Sequence, residues 1–304
     1  MNDGLYYKHS GKYSLGGAIY ALVVGSVILC VGAFVYAYLI LYLPFVYINA
    51  LITAGYGIVL GFTCATLLKK KKVRSDGVAV GLTFVLTSVA YYFGWATWVW
   101  ALARRTDTSI APFSLLVGLV LWPPALWEII KSINVEGAWT LRGSAVTGWA
   151  LWAVWAIEFA MIFGFSLWTA YKTMDEEPFC ETCEEWAKKK EQVVEAAIRD
   201  LNEYKRRLEG KDFKFLEAAG APKAETMEFQ RIDVFSCEKC GVFHTLDSTT
   251  VKVKIESGKR KEETAQSMHH LVLTASEAQA LVKLGQAMNP PVLAEAEKAA
   301  GANA

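Results

Sequence analysis

The chain has 304 residues, with 31 Lys plus Arg against 30 Asp plus Glu and a formal charge of +1. Phosphate binding needs a marked basic excess on one domain, so this balance excludes nucleic acid as the main partner. The charges are unevenly placed: 17 of the 61 precede Lys172 and 44 lie from there on, so an apolar part is followed by a charge-rich part of 133 residues, enough for a small core of its own.

After a short N-terminal segment, residues 1–14, the chain runs from residue 13 to 68 without a single Asp, Glu, Lys or Arg. A run of 56 such residues fills about two bilayer spans at ~20 residues each. It predicts a helical hairpin of residues 15–43 and 46–68 turning near Pro44, with Tyr42, Tyr47 and Asn49 at headgroup depth. The first stretch is far longer than the apolar core of a cleavable signal peptide and serves as its own insertion signal. Lys69, Lys70, Lys71, Lys72 and Arg74 then form a short basic loop that belongs in the cytoplasm, which puts the N-terminal segment, with Lys8 and Lys12, there too.

A third uncharged run, residues 77–103, predicts a span leading outward. Residues 108–127 are also uncharged, but Pro123 and Pro124 remove two backbone donors and disfavour a regular helix, so this is a kinked span or a re-entrant or interfacial segment. The last apolar stretch, residues 143–171, carries one charge, Glu158, and is long enough to cross. Four crossings leave the C-terminal domain cytoplasmic and five leave it outside. The paired cysteines of that domain and the Lys188–Lys190 cluster near the last span favour four; Arg104 and Arg105, placed outside by that count, stand against it. The expected fold class is an α-helical membrane bundle over residues 15–172, with four spans plus a re-entrant or interfacial segment and the lipid bilayer as a partner. A small soluble α+β domain follows over residues 173–289.

Within that domain, Val194, Ala197, Leu201, Tyr204 and Leu208 recur at steps of three and four, which predicts an amphipathic helix over residues 184–209. The period then changes to two. Phe229, Val251, Val253 and Ile255, a turn at Ser257-Gly258 and a second run ending at Leu273 predict a small antiparallel sheet over residues 228–274. Thr274 and Glu277 form a capping box that opens a last helix through about Ala287, and residues 290–304 read as a loose tail.

Four cysteines carry the strongest chemical signal. Cys180-x-x-Cys183 and Cys237-x-x-Cys240 are two knuckles 53 residues apart, each able to aim two thiolates at one ion, and four thiolates suit a tetrahedral Zn²⁺. Two disulfides, or a rubredoxin-like iron site, would use the same residues. The second knuckle, continued by Gly241 and a β-patterned stretch, resembles the zinc ribbon group over residues 235–273 together with the first knuckle. The resemblance implies a zinc ribbon-like domain with a structural, four-thiolate Zn²⁺ and no open position for substrate. His244 is close enough in sequence to replace a thiolate but reads as an ordinary strand histidine, and His269-His270 as a solvated strand end.

Glu158 is the second chemical feature, because a carboxylate near mid-span costs roughly 2.5–3.5 kcal/mol on insertion scales and must find a partner, water or a proton. It is a candidate intramembrane ion or proton site, with Thr87, Ser88 or Tyr91 as helpers, or else a neutral Glu holding the bundle together. Ten of the eleven tryptophans fall between Trp95 and Trp168, which fits interfacial belts and bundle packing better than a cofactor cleft. Gly57-x-x-x-Gly61 and Gly77-x-x-x-Gly81 permit close helix contact. Cys30 and Cys64 lie in spans and read as packing residues.

No histidine lies in a span, and there is no phosphate-binding loop, nucleophile elbow or His-Glu-x-x-His motif, so bis-histidine haem, NTPase, hydrolase and zincin readings lack support. The expectation is a non-catalytic integral membrane protein. Its cytoplasmic zinc-stapled domain mediates interaction with a protein partner or with a second copy, in a larger membrane complex. The alternatives are an ion or small-solute channel or transporter using Glu158, and a lipid- or quinone-handling membrane enzyme.

Overall fold

The structure, a computed structural model, describes residues 4–43, 45–106, 111–137, 140–141, 144–198, 200–223, 226–256 and 259–288. The expected turns at Pro44 and Ser257-Gly258 and the tail 290–304 lie outside these residues. The chain divides into two compact units, Ser10–Glu176 and Met1–His9 with Glu177–Ala304.

In the first unit, α1 (Leu15–Tyr42), α2 (Val46–Lys70), α3 (Asp76–Thr106) and α6 (Gly148–Asp175) are the four helices, among the described residues, long and apolar enough to cross a membrane. Their bounds follow the uncharged runs within a few residues. Ser14 caps α1, its hydroxyl accepting the Gly17 N–H at 3.0 Å. Between α3 and α6 the expected break at the proline pair is a bend of 105° joining α4 (Phe113–Leu121) and α5 (Pro123–Glu136). The strand pair β1 (Thr140–Leu141) and β2 (Ser144–Ala145) leads into α6.

α1 packs on α3, and α2 on α6. The second pairing depends on glycine: a Cβ at Gly61 would stand 2.2 Å from the Ser166 carbonyl oxygen, and one at Gly57 2.9 Å from that of Ile162. These two glycines let the α2 and α6 backbones touch. Gly77 and Gly81 share the motif but face open space, so that pattern makes no contact. Cys64 is fully buried in the α1–α2–α3–α6 core beside Leu60 and Leu86, as a packing residue should be, and Cys30 is half-buried.

In the second unit, a hairpin of β3 (Phe179–Cys180) and β4 (Glu185–Trp186) precedes a four-stranded antiparallel sheet in the order β5-β6-β7-β8. Its strands are β5 (Lys188–Ala196), β6 (Glu228–Ser236), β7 (His244–Glu256) and β8 (Lys259–Leu273). One face is covered by α7 (Leu201–Glu209), α8 (Lys214–Ala219) and α9 (Ala275–Met288) around Val194, Tyr204, Leu208, Ile232, Leu246 and Leu281. The capping box at the start of α9 forms as expected, with Thr274 N–H donating to Glu277 Oε2 at 2.8 Å and Glu277 N–H to Thr274 Oγ1 at 3.3 Å.

The predicted helix over residues 184–209 is replaced by β4, β5 and the shorter α7. Lys188–Lys190 and Val194–Ala196 pair with Ser236–Val234 and Ile232–Gln230 of β6, and adjacent Val193 and Val194 suit a pleated strand. Only the Leu201, Tyr204 and Leu208 part of the helical period is helical; Val194 falls into phase with it by coincidence.

The N-terminal residues complete the sheet. Tyr7 N–H donates to the His270 carbonyl at 2.8 Å and Val272 N–H to the Leu5 carbonyl at 3.0 Å, so residues 5–7 run as an added antiparallel segment along β8. Residues 4–9 thus belong to the same unit as the chain from Glu177 onward.

Candidate metal centre

Two local turns build the centre. The β3–β4 hairpin carries Cys180 and Cys183, and the link from β6 to β7 carries Cys237 and Cys240. In the second turn Gly241 N–H donates to the Cys237 carbonyl at 2.9 Å, and Gly241 takes φ +61°, a left-handed conformation that glycine adopts freely. Glu184 holds the matching position after Cys183 at φ +53°, where a side chain costs roughly 1–2 kcal/mol.

The four sulfurs converge, although 53 residues separate the pairs and β5, α7, α8 and β6 intervene. All four Sγ atoms lie within 4.8 Å of one another, Cys180 and Cys240 at 3.8 Å, and no disulfide joins them. A tetrahedron with metal–sulfur bonds of about 2.3 Å has edges of about 3.8 Å, so the spacing fits one four-coordinate ion. Burial and the neighbouring thiols push the Cys183 thiol up to about 12. Backbone N–H groups of Val242 and Phe243 bring Cys240 down to about 6, which favours its thiolate.

The surroundings hold the loops. His244 is not a ligand: Nδ1 bonds Ser236 Oγ at 2.8 Å and Nε2 the Gly241 carbonyl at 2.9 Å, so it clasps the second turn through both ring nitrogens. Tyr7 buttresses the first turn, its hydroxyl accepting the Phe179 N–H at 3.1 Å while its ring meets Phe243 edge-on. Exposed ion pairs tie the second turn to the start of β5, Lys188 with Glu238 at 2.6 Å, and to β4, Lys239 with Glu185 at 3.7 Å, and add little energy.

Glu158 lies in the other unit, on α6. Its partner is Tyr36 of α1, which donates to Oε1 at 2.5 Å, and not the Thr87, Ser88 or Tyr91 expected from the sequence. Thr87 bonds Ser166 Oγ at 2.7 Å, Ser88 donates to its own helix at Phe84, and the Tyr91 ring packs on Phe159 and Phe163. A tyrosine hydroxyl has one proton, so Tyr36, donating to Glu158, accepts from Thr53 Oγ1 of α2 at 3.0 Å. Tyr56 stacks on Tyr36 at 4.3 Å, and its own buried hydroxyl finds no partner among the described residues.

The tryptophans are divided. Trp95, Trp152 and Trp155 meet edge-on in a packed cluster, with Trp95 and Trp155 5.0 Å apart, whereas Trp149 is 83% exposed. His269 and His270, expected at a solvated strand end, are instead joined to Asp247, and His270 is buried.

The architecture is thus four long apolar helices and a bent helix pair, with a small antiparallel domain that gathers four cysteines. Comparisons of the chain with protein-family models, with curated proteins and with solved structures each returned no match.

Proposed function

We propose that this is an integral membrane protein of four crossings whose cytoplasmic domain, stapled by structural Zn²⁺, docks a protein partner or a second copy within a larger membrane complex. The observation that carries this reading is the convergence of four thiolates from two separate turns. A four-thiolate sphere is complete, leaving no position for substrate, so the ion would fasten β3–β4 to the β6–β7 turn. Zn²⁺ is the cation that prefers this donor set without redox chemistry.

The pairing of residues 5–7 with β8 supports the even count. Chain that leaves a unit at His9 and re-enters it at Glu177 must cross any bilayer an even number of times. Four spans then make the α4–α5 pair a re-entrant element that enters and leaves by one face. The basic loop Lys69–Arg74, between the second and third spans, would share the side of the termini, and the positive-inside bias names that side cytoplasmic.

The test is the full chain carrying Cys180→Ser and Cys237→Ser, purified from its own membranes. The variant is expected to stay resistant to alkaline extraction, to lose zinc, and to lose associated protein or its oligomeric state. An unchanged set of associated proteins together with an unchanged oligomeric state overturns the reading.

A second reading rests on the Glu158–Tyr36–Thr53 chain: a carboxylate inside an apolar bundle, fed by two hydroxyls, suits an ion or proton path. Glu158→Gln separates the two. Altered flux in reconstituted vesicles supports transport, and altered assembly with unchanged flux supports a holding role.

A further inference from the structure

Consecutive residues of a regular strand point to opposite faces, so His269 and His270 should not be able to share a ligand. β8 departs from that rule here. Leu246 pairs with Leu271 and Ser248 with Met268, which sets the single residue Asp247 opposite both histidines. That is a β-bulge, and it places His270 at φ +51°, left-handed backbone for a non-glycine residue. The two imidazoles are turned to one side and stack at 3.8 Å with 27° between their planes.

Both rings face one carboxylate. Asp247 Oδ2 is 3.0 Å from His269 Nδ1 and Oδ1 is 2.9 Å from His270 Nδ1, and the ligand atoms of the three residues all lie within 4.8 Å of one another. The cluster is held from behind by the His270 N–H, which donates to Oδ1 at 2.7 Å, and by Gln266 Nε2, 3.2 Å from Oδ2 and 2.5 Å from His269 Nδ1. Asp247 is 8% exposed and His270 2%, while the His269 side chain at 31% leaves one side open to water.

The next strand shows the same device with a different filling. Asp233 of β6 lies directly across from Asp247, and it too faces a bulge, in β5, whose residue Gln192 has φ +51° and donates its N–H to Oδ1 at 2.7 Å. There the cation is part of the chain: Lys189 Nζ lies 3.1 Å from Asp233 Oδ2. At Asp247 the place of that ammonium is taken by two imidazole nitrogens, the donors that divalent transition ions prefer.

We propose that Asp247, His269 and His270 form a second metal site, binding one first-row divalent cation such as Zn²⁺ or Co²⁺ through both imidazole Nδ1 atoms and the carboxylate. With bonds of about 2.0–2.1 Å, a tetrahedral ion spaces its ligand atoms about 3.3 Å apart, and one ligand atom from each of the three residues lies within 4.8 Å of the other two, a spacing that side-chain adjustment alone can close. Coordination is completed by water on the His269 side. This site is independent of the thiolate centre and of the proposed function: its donors are nitrogen and oxygen, and none belongs to either cysteine knuckle.

The test is Co²⁺ binding to the full chain in detergent, without a polyhistidine tag, read by metal content and by absorption. The wild type is expected to bind two ions per chain, of which one shows thiolate charge-transfer absorption. His269→Ala is expected to lose one ion and keep the thiolate absorption unchanged. Asp247→Asn should do the same; if its buried amide prevents folding, the half-exposed His269 position still decides. An ion count unchanged by His269→Ala, or a wild type that binds solely the ion with thiolate absorption, overturns the proposal.

Discussion

Tyr36 has a single proton to give, and in this bundle it gives it to Glu158 while receiving one from Thr53. Tyr36→Phe removes both links and leaves the carboxyl group without a donor in apolar surroundings. The bundle is expected to lose about 1–3 kcal/mol, read as reduced resistance to denaturation in detergent. Cys237→Ser takes one of four ligands, and metal affinity should fall by at least ~100-fold in a competition titration, since even losses outside the ligand sphere reach that size. Tyr6 offers a pH-dependent case. Burial, and then the Glu209 carboxylate that its hydroxyl meets at 2.6 Å, raise it from 10.0 to about 12. A group raised on folding stabilises fully below its unfolded value and loses that contribution as pH climbs through the folded one. The N-terminal segment should therefore stay protected from proteolysis up to about pH 10 and loosen towards about pH 12. Tyr6→Phe should abolish that window. Of these residues, the cysteines were legible in the sequence because their spacing is itself the chemistry. The Tyr36 partner was not, since which turn of α1 meets which turn of α6 is set by packing across 122 residues of separation.

At the scale of elements, helices in apolar runs announce themselves. A bilayer leaves backbone polar groups without water, so uncharged stretches of span length that lack an internal proline pair read as continuous helices. The bend between α4 and α5 was equally visible, because Pro123 and Pro124 cannot continue the preceding helix. β5 was hidden: half of it is lysine and glutamate on an exposed edge, and its identity comes from pairing with β6. The bulge in β8 was hidden too, because an extra residue in one strand leaves no mark on the alternation of a polar segment. The two glycine motifs supply a paired test. Gly61→Val would force a side chain onto the Ser166 carbonyl and is expected to cost ~2 kcal/mol or more, whereas Gly81→Val meets open space and should stay within ~0.5 kcal/mol. Equal effects of the two substitutions in a detergent melt would contradict the observed α2–α6 contact.

For the whole molecule, the division into two units follows the division of charge along the chain, with one exception that the charge pattern could not reveal. Residues 4–9 precede the first apolar helix yet pack with residues from 177 onward. Reporters placed at the two ends of the chain in sealed vesicles should therefore respond on the same side to a membrane-impermeant label. Opposite responses would require an odd number of crossings and would be incompatible with the Tyr7–His270 pairing.

That pairing also governs when the domain can be finished. Residues 4–9 are made long before β8, so Leu5 and Tyr7 find the strand edge they pair with only after everything between them has been synthesised. Closure across so long an intervening chain carries an entropic cost, and in the proposed four-crossing arrangement insertion of the helices would lower it by bringing the two ends to one surface.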